Sequence, residues 1–110
     1  MADKDRIRQV SRLERRPTHP GEILREDVLP ALKLTQGEFA LRLGVSRRTV
    51  NEVLQEKRPV SPDMAHRLGW LLGNGPGLWL NLQVNLDLWD ALHLDQKAYQ
   101  HIKPLKVKAG

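Results

Sequence analysis

Residues 35–58, TQGEFALRLGVSRRTVNEVLQEKR, decide how this chain is read. Thr35 and Glu38 have the spacing of a capping box, in which a threonine hydroxyl and a glutamate carboxylate satisfy each other's orphan amides at a helix start. Phe39, Ala40 and Leu43 then fall on one helical face. Gly44 can take positive φ and end that helix. Val45 turns inward, and Ser46 is placed to cap a second helix whose apolar face is Val50, Val53 and Leu54. This arrangement pushes Arg47 and Arg48 outward at the positively polarised start of the second helix.

An αα-hairpin in any helical bundle shares the order helix, glycine, helix. Three features point instead to a helix-turn-helix, whose second helix enters the major groove by its N-terminal end. The turn is only Gly44-Val45-Ser46. Gln36 and Ser46 put polar groups at helix starts, where phosphates bind. The outward face of the second helix carries Arg47, Arg48, Thr49, Asn51 and Glu52, side chains able to read base edges. The expected partner is therefore DNA.

Outward from this core, residues 1–16 are charged, with Ile7, Val10 and Leu13 at helical spacing, and Pro17 punctuates. Three apolar side chains bury too little area to offset the ordering of such a segment, so a flexible arm is expected. Thr18-His19-Pro20-Gly21-Glu22 opens a helix, because a first-turn proline lacks only an amide that would be orphaned anyway. Ile23, Leu24, Val28, Leu29 and Leu32 continue it, and Pro30 should distort or stop it. Glu56-Lys57-Arg58-Pro59-Val60 is a loop. Ser61-Pro62-Asp63 restarts a helix with a cap, a first-turn proline and an acid at the dipole's positive end. Gly73-Asn74-Gly75-Pro76-Gly77 ends it.

Residues 78–94, LWLNLQVNLDLWDALHL, carry two signals. Leu80, Leu82, Val84, Leu86 and Leu88 alternate with polar residues as in a strand. The same segment has apolar residues on two sides of a helix. The helix is preferred, because leucine favours helix and a lone strand has nothing to pair with. A helix apolar on two sides needs two partners. One side caps the core. The other, carrying Leu80, Val84, Leu88 and Ala91, is expected to meet a second copy of the chain, unless the helix lies wholly inside one chain's core.

Composition narrows the classes. At 110 residues and 40% apolar, the chain suits a single small domain. With no cysteine it has neither disulfides nor a thiolate metal site, which fits a reducing cytoplasm. No apolar run approaches the ~20 residues of a membrane span. The N-terminus lacks the apolar stretch of a secretory signal, and Asp3, Asp5 and Glu14 count against a targeting helix. The net charge of +5 is concentrated at the ends. Residues 1–16 hold six Arg/Lys against three acids and residues 103–110 hold three lysines, while 17–102 holds nine basic and ten acidic side chains. Such tails either track a phosphate backbone or simply solubilise the ends.

With these residues in view the chain resembles a known family, the HigA-type (VapI-like) antitoxins of the XRE, lambda-repressor-like, helix-turn-helix class. The resemblance spans roughly residues 18–92. It is carried by His19-Pro20-Gly21-Glu22-Ile23-Leu24, Gly44-Val45-Ser46-Arg47, Lys57-Arg58-Pro59-Val60-Ser61, Ala65-His66-Arg67-Leu68 and Leu78-Trp79-Leu80-Asn81-Leu82-Gln83. It implies an all-α fold, a five-helix domain with flexible basic tails, that dimerises and binds an inverted-repeat operator. It also implies autorepression of a toxin–antitoxin operon and neutralisation of a HigB/RelE-like mRNA endonuclease. Gln36 matches the phosphate-binding start of the first motif helix. Arg47, Arg48 and Glu52 match base-facing positions, and Lys57 and Arg58 the basic loop. One departure stands out: the family often has Asn-Gly before the Lys-Arg pair, where this chain has Gln55-Glu56. Glu56 is then required to accept the glycine's backbone, with positive φ at a cost of about 1 kcal/mol.

The expected organisation is a flexible charged arm over 1–17, a DNA-binding and dimerisation domain over 18–95, and a basic tail over 96–110. An enzyme is not expected. His19, His66, His93 and His101 are scattered, without the i,i+4 pair or cysteines a metal site needs. Asp87 and Asp90 read as a solvated acidic face. The glycines at 73, 75 and 77 lack the lysine and the preceding strand of a phosphate loop. No cofactor is expected. The alternative function is a stand-alone repressor of the same class with no toxin partner. A protein-interaction module that has lost DNA binding is less consistent with Arg47 and Arg48.

Overall fold

The structure, a computed structural model, describes residues 2–94 and 96–106. Among these residues the regular structure is entirely helical. Helix α1 spans Ala2–Ser11. Helix α2 (Pro20–Ile23), a π-helical turn (Leu24–Val28) and α3 (Leu29–Leu32) form one continuous rod. Helices α4 (Gln36–Leu43) and α5 (Arg47–Leu54) are the motif pair. They are followed by α6 (Pro62–Leu72), α7 (Pro76–His93) and the short α8 (Gln96–Gln100). The helical reading of 78–94 holds.

Local rules account for most boundaries. The Thr35 hydroxyl accepts from the Glu38 amide at 3.1 Å, and the Thr35 amide donates back to the Glu38 carboxylate at 3.2 Å. Gly44, at φ 74°, ends α4 and lets the Val45 amide reach the Ala40 carbonyl at 3.1 Å. Ser46 and Ser61 cap α5 and α6 through the amides of Thr49 and Met64. Pro30 distorts its helix without stopping it. In a regular α-helix its ring would strike the carbonyl four residues back. The turn before it widens, so that the Leu29 amide bonds the Leu24 carbonyl five residues back.

The core is built where these helices cross. Leu24, Phe39, Leu43, Val50, Val53, Leu54, Val60, Ala65, Leu68 and Trp79 are buried together. Helix α7 lies against α6, with Trp79, Gln83 and Leu86 turned inward. Of the four residues expected at a second-copy interface, Leu80 already packs partly on the core and Leu88 and Ala91 are half-buried, while Val84 is exposed.

The N-terminal segment differs from the expected flexible arm. Helix α1 packs along α7, with Val10 buried. Arg6 donates to the Asn81 side chain at 2.8 Å, and the Trp89 indole N–H donates to the Leu13 carbonyl at 3.1 Å. Arg16 forks onto both oxygens of Asp90 at 2.7 and 2.8 Å. The arm's three apolar side chains are too few to hold it alone, and the Trp89 indole and Asp90 carboxylate that α7 offers supply what they lack. Toward the C-terminus, Lys103 and Lys106 are exposed, and Lys108 lies outside the described residues.

Candidate nucleic-acid interface

The second motif helix rests on the core through Val50, Val53 and Leu54, so its opposite side is presented outward. Arg47 and Arg48 stand at its first turn and are exposed, the Arg48 side chain at 89%. No acid occupies that first turn. The unpaired amides and the helix dipole therefore add to two guanidinium charges, which favours an anion there.

The other expected site residues are more engaged than their sequence positions suggest. The Ser46 hydroxyl accepts from the Thr49 amide and lies 2.8 Å from the Thr49 hydroxyl. Asn51 donates its amide to the Gln36 side-chain oxygen at 3.0 Å, so the two motif helices are tied across the turn and the Gln36 amide nitrogen is oriented. One oxygen of Glu52 accepts from Arg58 at 3.2 Å and forms an ion pair with Arg48 at 3.3 Å. Lys57 is exposed at the tip of the following loop and forms no ion pair among the described residues.

That loop is clamped from three sides. Glu56 takes positive φ, at 61°, as the substitution for glycine requires. Its carboxylate turns back to Arg25, at 3.3 Å, and not toward the outward face. Arg25 projects from the π-helical turn and also donates to the Leu54 carbonyl at 2.6 Å, satisfying the end of α5. On the far side, buried Gln83 accepts from the Val60 amide at 2.8 Å and donates to Asp87 at 2.9 Å. Replacing Gln83 with leucine keeps the shape and strands the Val60 amide. Chemical denaturation is expected to show a loss of about 1–3 kcal/mol.

His19 anchors the same loop from below. Its Nδ1 accepts from the Gly21 amide at 2.8 Å, capping α2, and the ring lies against the Arg58 backbone. Burial pushes its pKa below the ordinary value. Arg16 adds to the shift, while Glu56, the Arg58 backbone and Asp87 oppose it. A histidine whose folded pKa is depressed stabilises in its neutral form, so the unfolded chain takes up the proton first on acidification. Stability is therefore expected to decline as pH falls from about 6.5 toward the lower folded value. In His19→Asn, which keeps a capping acceptor, urea midpoints at neutral and mildly acidic pH should show less of this decline. Equal slopes in both proteins would assign the effect elsewhere.

The sequence marked the outward residues of α5 but gave no sign of the roles of Gln83 and Arg25 or of the loop-holding role of His19. Gln83 lies within the Leu78–Gln83 stretch of the resemblance, but it is one of several polar residues alternating with leucines there, so only the resemblance set it apart.

Arg47 and Arg48 thus stand where the core does not use them, at a helix end that attracts phosphate and above a basic loop held in place. The fold that presents them defines a helix-turn-helix DNA-binding protein, and residues 24–72 match the helix-turn-helix family model. The chain is 35% identical over 98 residues to antitoxin HigA-1 of Vibrio cholerae, covering 89% of this chain and 92% of that protein. The solved structure of Pseudomonas aeruginosa antitoxin HigA with the higBA promoter superposes with a TM-score of 0.73 at 39% identity, covering 83% of this chain and all of that one. Antitoxin GraA in complex with its operator gives 0.74 at 38% identity, covering 87% and 98%. This chain belongs to the HigA-type antitoxin family. Among the described residues no helix is long and apolar enough to cross a membrane.

Proposed function

We propose that the chain acts as a homodimer that binds an inverted-repeat operator, represses its own toxin–antitoxin operon and neutralises a HigB/RelE-like mRNA endonuclease. The observation that carries the DNA half is the exposed, acid-free first turn of α5 with Arg47 and Arg48. In this reading Arg47, Arg48, Thr49, Asn51 and Glu52 face base edges, and Gln36, Ser46, Lys57 and Arg58 meet the phosphate backbone. One reading helix per chain covers one half-site, so two chains are needed for a repeat with centres about 34 Å apart. The open strip of α7 around Val84, flanked by half-buried Leu88 and Ala91, supports the second copy. The HigA and GraA relatives, solved on promoter and operator DNA, support the target.

Light scattering of the free protein, and footprinting on the DNA upstream of its own gene, test the dimer and operator. A dimer with two protected half-sites is expected, and a monomer both free and on DNA overturns the dimer. Co-expression with the adjacent gene's product tests the toxin. A stable complex that silences mRNA cleavage is expected, and an adjacent product that neither binds nor cleaves leaves the stand-alone repressor as the better reading.

A further inference from the structure

Glu52 is the one acid on the outward face of α5, and its position is unfavourable for a surface meant to approach a polyanion. It follows Arg48 by one helical turn, and one of its oxygens accepts from Arg58 and forms an ion pair with Arg48. Its side chain is 27% exposed, so it is neither buried in the core nor free in solvent. Two of the arginines that DNA would use are therefore paired, in the free protein, with a single carboxylate: Arg58 by a hydrogen bond and the exposed Arg48 by charge.

We propose that Glu52 is a specificity-determining residue that acts by penalising non-operator DNA. The inference rests on the DNA-binding reading above. On a random duplex, Arg48 and Arg58 gain phosphates only by leaving Glu52. The carboxylate is then left unpaired against the phosphate charge, and specificity of this kind arises from a cost imposed on the wrong partner. On the operator the cost is recovered where a cytosine amine lies within reach, because an acidic side chain accepts from cytosine N4 in the major groove. The same carboxylate, bonded to Arg58, also ties the basic loop to α5 until DNA arrives.

Glu52→Gln removes the charge and keeps an oxygen for Arg58. Binding of the wild type, Glu52→Gln and Glu52→Ala is measured on the operator duplex and on a random duplex of equal length, across a salt series. Both variants should bind random DNA roughly fivefold or more tightly than wild type, the size of losing one close like-charge contact. Their salt dependence there should steepen by about one counterion, as another phosphate becomes fully neutralised. Operator affinity should rise less or fall, so the ratio between the two duplexes collapses. A purely structural role would change both duplexes by the same factor, and that result overturns the inference while leaving the DNA-binding reading intact. A wild-type protein that itself does not distinguish the duplexes overturns that reading and this inference with it.

Discussion

Gly21→Ala is expected to cost about 3 kcal/mol or more, the upper end for forcing an extra carbon into a packed site. A Cβ on Gly21 would stand 1.9 Å from the Val53 carbonyl oxygen and 2.9 Å from its carbon. These are backbone atoms of α5 and have no side-chain rotation by which to retreat. Either α2 lifts from the reading helix or α5 itself shifts. At 4–8 °C per kcal/mol for a domain of about this size, the melting temperature should fall by roughly 12 °C or more. Because the struck helix is the one proposed to enter the major groove, operator affinity should fall even in the fraction that folds. Gly37→Ala is the control. There the nearest atom is the Thr35 hydroxyl oxygen at 4.0 Å, and the helix gains up to about 1 kcal/mol from losing a flexible residue. Opposite signs for the two substitutions are the expected result. A Gly21→Ala protein within 1 kcal/mol of wild type would mean that the crossing of α2 and α5 is looser than the described geometry.

Arg47→Ala should weaken operator binding by about 1–3 kcal/mol, roughly five- to 150-fold, with the loss concentrated at particular base pairs. Among the described residues its exposed side chain forms no hydrogen bond or ion pair, so melting temperature should barely move. Lys57→Ala should act differently. A loop lysine that meets only phosphate weakens every sequence alike and lowers the salt slope by about one. Titrations on operator variants and on random DNA separate the two. Identical profiles for the two mutants would remove the distinction between a reading residue and a phosphate-binding one. Arg48→Ala is the less clean experiment, because it also releases Glu52 from one of its two partners.

The motif itself was legible because it depends on short-range chemistry. The capping box, the Gly44 stop and the Ser46 and Ser61 caps involve groups three to five residues apart, where chain connectivity places the partners. The positive φ of Glu56 followed from its standing where the resemblance puts glycine. The helical rather than extended form of 78–94 followed from leucine content and the lack of a strand partner. The outward set on α5 followed from periodicity alone. What periodicity could not give was how far those side chains were already used. Ser46, Asn51 and Glu52 all face the expected side, yet each is bonded to a neighbour.

Contacts between distant parts of the chain were decided only by tertiary structure. Arg25 caps α5 across 29 residues, and Gln83 holds Val60 across 23. Trp89 donates to the Leu13 carbonyl across 76, in a segment that was expected to be a free arm and instead packs on α7. Each of these side chains reads from sequence as an ordinary surface arginine, one of several polar residues alternating with leucines, or one more aromatic on an amphipathic helix. Their roles arise because a folded core leaves particular backbone groups without partners at particular points: the Leu54 carbonyl at a helix end, the Val60 amide at a loop's entry, the Leu13 carbonyl past the last turn of α1. A buried or half-buried backbone group must be satisfied, which governs the Leu54 carbonyl and the Val60 amide, whereas the exposed Leu13 carbonyl gains a partner only because α1 is laid along α7. Which side chain satisfies it depends on the three-dimensional path of the chain. The sequence alone therefore determined that there is a helix-turn-helix and which side chains its second helix turns outward, while packing decided what holds that helix and its loop in place.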